Sequence, residues 1–486
     1  MATELPFVGN SYELDTLDVS AQRTVNMYLE AYLDSKAKVQ MSLRPTHGLL
    51  SFSDMAGTNQ MRGLYLASTG DFFGVRGSFV STFDSSGTET TRFNIDTGNT
   101  VPYSTIVRMA DNGTSMLIAD GSTGPYVVTL SGYTAAKVTD ADYPGGSFCA
   151  ILDGFYIVNK PNTLFAFYST LDDPTDWPSG NTITKESTTD YINCLIVHNS
   201  RLWIFGTQSY EVHYNTGNSN NQFLRIEGTP KSIGCEAPNS LAEDGNNVYW
   251  LSSDGQGFGQ VMQSQGFDSM PISTIPMERE IHTYTTTSDA EGFCFQQDGH
   301  NFYQLTFPSE NKTWVYDATV SRMLGSPAWH EKLFRNPNSG VDERHRARVQ
   351  GFFSGKNLFG DWEDGNIYSA EQTTYTDNGN TIIRRRISPT HWNSLERLFF
   401  ASFELDIESG VGLGTGQGSA PLVQLRWSND GGHTWGNWYY LSAGAIGKYS
   451  TRVKKNRLGQ SRKRVWEVRY SEPTKFNILS AFAELS

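Results

Sequence analysis

The sequence is sparing with cysteine, with charge and with long apolar runs. Its four cysteines, at 149, 194, 235 and 294 of 486 residues, stand in no C-x-x-C spacing. A disulfide-stapled scaffold and a cysteine zinc site are therefore not indicated, and buried free thiols are expected. Nine histidines are scattered without H-E-x-x-H or paired-ligand spacing, so no metal is assigned. There is no P-loop and no G-x-S-x-G elbow. The run "GVGLGTGQG" (Gly410 to Gly418) lacks the third glycine of a nucleotide loop in either register and precedes no amphipathic helix. It reads as an interstrand loop, and no cofactor is implied. No stretch approaches the ~20 apolar residues of a membrane-spanning helix. The start, "MATELPFVGNSYELD", is acidic, with neither a basic nor an apolar region of a secretory signal, so folding in the cytosol is expected. Charged residues make up 18%, with a formal net charge of −13, which disfavours a protein that wraps nucleic acid tightly.

Glycine and aromatic residues are plentiful: 46 glycines, and 13% Phe, Trp and Tyr. From about residue 60 one unit keeps returning, a short alternating strand, a turn, and an aromatic-rich strand. The turns fall at Gly70-Asp71, Asp120-Gly121, Asp153-Gly154, Asn199-Ser200, Asp244-Gly245, Asp298-Gly299 and Asp364-Gly365. Asp-Gly and Asn-X pairs supply the positive φ that tight hairpin turns require, and alternation gives each strand one buried face. A repeat of roughly 40–50 residues matches four-stranded propeller blades. An all-β fold is expected: a β-propeller of six or seven blades over 59–390, with a platform or sandwich built from an N-terminal segment (1–58) and a C-terminal antiparallel domain (391–486).

Two features of the C-terminal part bear on function. "RWSNDGGHTWGNW" contains S-x-D-x-G-x-T-W, formed by Ser428, Asp430, Gly432, Thr434 and Trp435. It resembles the Asp-box hairpin of sialidases, an alternative reading that makes the chain a carbohydrate-binding or sialidase-like propeller. The box is first a structural device, however, and only one complete copy occurs; "SSDGQGF" at 252–258 is degenerate. The contiguous Arg384, Arg385 and Arg386 would alternate faces along a strand rather than converge on a substrate carboxylate, so no catalytic residue is assigned. The second feature is a segregated basic segment: Arg452, Lys454, Lys455, Arg457, Arg462, Lys463 and Arg464, in an acidic protein. It is a candidate contact for an acidic partner or for DNA.

Several segments, in order, resemble the tail hub or nozzle proteins of short-tailed bacteriophages, the packaged-DNA stabilisation (head-completion) family. They are "RTVNMY" and "LRPTHGL" (His47 standing where a proline is common), "YINCLIVHNSRLWIFGTQSYEVHYNTGNSNNQF", "KSIGCEAPNSLAEDGNNVYWLSSDGQG", and the terminal "RKRVWEVRYSEPTKFNILSAFAEL". The resemblance implies a structural, non-catalytic virion protein made in the host cytoplasm and carried in the tail. It implies self-assembly into a ring, expected to be a homohexamer, below the portal and its adaptor ring. Tail fibres or tailspikes, a tail plug and the passing double-stranded DNA would be its neighbours, and it would retain the genome until ejection.

Overall fold

The computed structural model describes residues 2–485 except 33, 35, 55–58, 96–101, 254–258 and 395. Tight turns set its hairpins. At Asp153–Gly154, Asn199–Ser200, Asp298–Gly299 and Ser354–Gly355 both residues take positive φ, the signature of turns whose twist matches paired strands. Each joins residues directly opposite: Leu152 with Phe155, His198 with Arg201, Gln297 with His300, and Phe353 with Lys356. Asp120, Asp244 and Asp364 lie instead in wider loops, where their carboxylates accept backbone N–H groups two residues on.

Five self-contained, four-stranded antiparallel meanders follow one another. They run from Met61–Leu66 to Glu89–Asn94, Arg108–Asp111 to Thr134–Lys137, Cys149–Leu152 to Thr182–Thr184, Ile192–His198 to Phe223–Arg225, and Ala242–Glu243 to Asp268–Pro271. A sixth, Glu291–Gln297 to Trp329–Glu331, continues into a larger sheet. The seventh takes three strands from Ala347–Phe353, Lys356–Asp361 and Ile367–Glu371, and its outermost strand from Gly48–Ser53. Apolar clusters fill every gap between neighbours. Phe73 and Val75 meet Met116 and Ile118; Leu117 meets Tyr156 and Trp177; Ile157, Trp203 and Trp250 join three blades. Tyr249 meets Tyr303, Phe302 meets Phe359, and Leu358 meets Met61 and Phe72, closing the circle. The ring is thus a seven-bladed propeller. Each fully buried large apolar side chain contributes roughly 1.5–3 kcal/mol.

Apart from the hairpin Leu333–Arg335/Asp342–Arg344 and two short strands beside Gly48–Ser53, the remaining strands form a two-layer β-sandwich. One sheet contains Met27–Ala31, Met41–Pro45, Ile478–Leu485, Leu398–Ile407 and Val453–Asn456, with Ala2–Leu5 also paired to Ile478–Leu485. The other contains Ala21–Val25, Arg384–Ile387, Lys463–Tyr470, Leu422–Ser428 and Tyr439–Ser442. Met27, Leu43, Phe400, Phe403, Leu425, Trp466 and Ile478 pack between them.

Sandwich and propeller share structure. Val25 pairs with Glu331 of the sixth blade, and Arg23 Nε donates to Glu331 at 2.6 Å. The helix Ala318–Leu324, capped by Asp317 accepting from Val320 N (3.0 Å), buries Val320 in the sandwich core. Two expected boundaries therefore shift. Gly48–Ser53, placed in the platform by the sequence, closes the propeller, and Arg384–Ile387, placed in the propeller, belongs to the sandwich sheet. Strands of four to six residues carry too short a pattern to say which sheet they join.

Candidate partner-contact surface

The basic segment spans one strand, a turn, the two-residue strand Gln460–Ser461 and the start of a third. Val453–Asn456 is the edge strand of the first sheet; Arg457 takes φ 63° in the turn, and Leu458 plugs back into the core. Lys463–Tyr470 then enters the second sheet. This path separates the seven candidates. Arg452 Nε donates to Glu404 Oε1 at 2.6 Å. Lys454 lies 3.7 Å from Glu484, Lys455 Nζ sits 4.2 Å above the centre of the Tyr439 ring, and Lys463 Nζ is 2.5 Å from Asp18. Pairs in solvent such as these contribute little to stability. Arg457 and Arg462 are exposed, and neither forms an ion pair among the described residues.

Arg464 corrects the sequence reading. It is 1% exposed, its guanidinium 4.1 Å from the Phe400 ring centre and near Trp427 and Trp466, with Nε donating to Asn429 Oδ1 at 2.9 Å. Burial pulls its pKa down to about 10. It offers almost no surface to a partner, because it lies on the strand face that turns inward, beside Trp466. The sequence placed it with its neighbours because a run of charges carries no information about faces until the strand register is known.

The Asp-box residues form a tight loop between Leu422–Ser428 and Tyr439–Ser442. Ser428 Oγ donates to Asp430 Oδ1 (2.6 Å) and accepts from Gly432 N (2.9 Å); Asp430 Oδ1 accepts from Thr434 N (2.9 Å). Slight burial opposes ionisation, but these donors outweigh it and hold the Asp430 carboxyl well below the usual range. Trp435 and Trp438 are half-buried against cations: Arg426 lies 4.9 and 4.3 Å from their ring centres, and Arg469 is 4.6 Å from that of Trp438. The degenerate copy at 252–258 falls largely outside the described residues.

The three arginines read against a sialidase site are apart in role. Arg386 is wholly buried and donates to Phe7 O, Asn10 O, Thr24 Oγ1 and Gln22 Oε1. Arg384 is buried and reaches Tyr375 O and Glu472 O, while Arg385 lies 3.2 Å from Glu467. All three are taken up by the chain's own groups, and Arg386 ties the N-terminal segment to the strand Arg384–Ile387. Among the described residues no group of three His, Cys, Asp or Glu is placed to hold a metal, and no helix is long and apolar enough to cross a membrane.

A groove the sequence did not reveal borders the basic segment. It encloses about 700 Å³ between Asp18, Thr390, Trp392, Arg397, Asn429 and Gln460 to Lys463. Trp392 is 61% exposed and Phe399, nearby in sequence, 50%. The Thr390 hydroxyl is buried without a hydrogen-bond partner among the described residues. Arg397 is exposed and, like Arg462, forms no ion pair among the described residues. The strand His391–Trp392 has two residues, which is too short for any alternation to show.

No curated protein sequence matches the chain. Among solved structures it is similar to a catalytically inactive virginiamycin B lyase from Staphylococcus aureus bound to quinupristin, with 10% identity, 66% of this chain and 98% of that one covered, and a TM-score of 0.42. It is similar to the WD40 repeats of RRP9 (10% identity, 67% and 98% covered, TM-score 0.43) and to the WD40 β-propeller domain of Doa1 (10% identity, 67% and 98% covered, TM-score 0.41). Family models reach much further. Residues 3–375 match that of the β-propeller of bacteriophage P22 Gp10, and residues 383–486 match that of its β-sandwich. With both domains matched in order over nearly the whole chain, the protein belongs to the bacteriophage P22 Gp10 family, structural proteins of short-tailed phage virions.

Proposed function

We propose that this protein is the tail-hub or nozzle subunit of a short-tailed phage. Copies form a ring, a homohexamer, beneath the portal and its adaptor ring, extend the DNA channel, retain the packaged genome and release it at ejection. Tail fibres or tailspikes and a tail plug are its further neighbours. The observation that carries the reading is the family match across both domains. The fusion of propeller and sandwich through Arg23–Glu331 and the shared helix supports it, because a ring that holds pressurised DNA needs rigid subunits. Charge agrees: at −13 per chain, six copies carry roughly −78 formal charges, a field along which DNA slides rather than sticks.

The test is a phage lacking this protein. Packaging should proceed, but the heads should lose their DNA during purification and regain stability when purified protein is added. Mutant particles that keep nuclease-resistant DNA and stay infectious would overturn the reading.

A further inference from the structure

The charge of the chain is divided unevenly. Residues 391–486 hold 12 Lys and Arg against 8 Asp and Glu, whereas residues 1–390 hold 26 against 43. Within the acidic part, one surface stands out on the third blade. Leu171 is 59% exposed at the tip of a loop that continues through Asp172, Asp173 and Asp176. A second loop packs beside it: Asp140 accepts from Trp177 N at 2.7 Å, and Tyr143 meets the Trp177 ring at 5.1 Å. That contact brings Asp140 and Asp142 alongside. None of these five carboxylates forms an ion pair among the described residues, and the chain between 140 and 158 contains no Lys or Arg.

The sandwich groove is its complement. Trp392 offers apolar surface, with the half-exposed Phe399 beside the groove on the strand that pairs with Gln460; Arg397 and Arg462 offer guanidinium groups without an ion pair among the described residues, and Lys463 pairs with Asp18. Exposed aromatics beside unpaired arginines are the composition of interface hot spots. Duplex DNA is the poorer occupant, because phosphate binding calls for a long stripe of cations and this groove offers two or three beside a tryptophan.

We infer that the Trp392 groove of one copy receives the Leu171–Asp176 loop of a second copy, in a head-to-tail contact. Leu171 packs toward Trp392 and Phe399, while Asp172, Asp173 and Asp176 face Arg397, Arg462 and Lys463. The two patches differ and lie on different domains, so the contact is heterologous; repeated, it propagates from subunit to subunit and closes wherever the rotation permits. It extends the ring reading by naming the surfaces that meet.

Two charge reversals test this on the full-length protein. Arg397→Glu/Arg462→Glu inverts the groove, and Asp142→Lys/Asp173→Lys/Asp176→Lys inverts the loop side, leaving two carboxylates against three ammonium groups. All five side chains are exposed and none forms an ion pair among the described residues, so both variants should keep the wild-type unfolding transition. In sedimentation velocity at low salt the wild type should self-associate, and each variant alone should associate at least about ten-fold more weakly, because like charges then face each other. An equimolar mixture of the two should regain association, since each groove then meets a loop of opposite sign. A wild type that stays monomeric, variants that associate like the wild type, or a mixture that fails to recover would each overturn the contact. Binding of a 20-base-pair duplex, lost in Arg397→Glu/Arg462→Glu while self-association is unaffected, would assign the groove to phosphate and also overturn it. A chain that is monomeric alone yet restores DNA retention to deficient particles defeats this contact while leaving the tail-hub reading standing.

Discussion

Arg462 stands in solvent at the groove, while two residues on the Arg464 guanidinium lies 4.1 Å from the Phe400 ring centre. Its inner position makes it a packing residue as much as a charged one: the stem fills space, and the head exchanges water for aromatic faces and Asn429. Arg464→Met should therefore leave stability within about 1.5 kcal/mol of wild type in urea unfolding, because the volume is kept. Arg464→Glu should cost on the order of 3–5 kcal/mol, since it buries a charge with no counter-ion. If both substitutions shift the midpoint equally, the aromatic cage is not what sets the site. The sequence showed that a basic cluster exists. It could not show which members face out, because Arg462, Lys463 and Arg464 look alike until Trp466, Val468 and Tyr470 fix the inward face of the strand.

At the level of elements, the joint between Met27–Ala31 and the sixth blade turns on one histidine. His300 Nδ1 is 2.7 Å from Asp317 Oδ2 and its Nε2 is 3.4 Å from Glu30 Oε2; Arg44 also reaches Glu30, and Tyr28 packs edge-on against the imidazole. Burial disfavours the charged ring, but the two carboxylates outweigh it and push the His300 pKa up to about 9. A raised pKa means stabilisation that is complete below the unfolded value of about 6.5 and lost as pH climbs through about 9. The melting temperature should therefore fall more steeply between neutral pH and pH 10 in the wild type than in His300→Gln. Parallel pH profiles would refute the role. Asp298–Gly299, the turn that presents His300, was legible from its residue types alone, as were Asp153–Gly154 and Asn199–Ser200, because positive φ leaves few choices. The partner Glu30 was not legible: it lies 270 positions away on a strand of another layer, and no local periodicity encodes that meeting.

Considered whole, the molecule is not two beads on a string. Residues 383–486 match a family sandwich, yet the sandwich also uses Ala2–Leu5, Ala21–Val25, Met27–Ala31 and Met41–Pro45. Expressed alone, 383–486 would expose Phe400, Phe403 and Ile478 where Met27, Leu29 and Leu43 should cover them. It should lack a cooperative thermal transition, whereas the full chain should show one, read by near-ultraviolet circular dichroism. A sharp transition for the fragment within a few degrees of the full chain would contradict this. The all-β character and the approximate blade count came through in the sequence because hairpins are local. The splitting of the first 53 residues between two bodies did not, because it depends on pairings that span most of the chain.

The outermost strand of the seventh blade has a consequence for how the protein is made. Gly48–Ser53 leaves the ribosome more than 300 residues before Ile367–Glu371, its partner. At about 5–20 residues per second, synthesis leaves that strand without its mate for on the order of tens of seconds. Throughout that interval a nascent chain carries an open β edge among many identical chains on neighbouring ribosomes, and such an edge is a template for wrong pairing. The last blade is therefore one place where a burst of phage protein synthesis is exposed to aggregation, and where a host chaperone would raise the yield of folded protein.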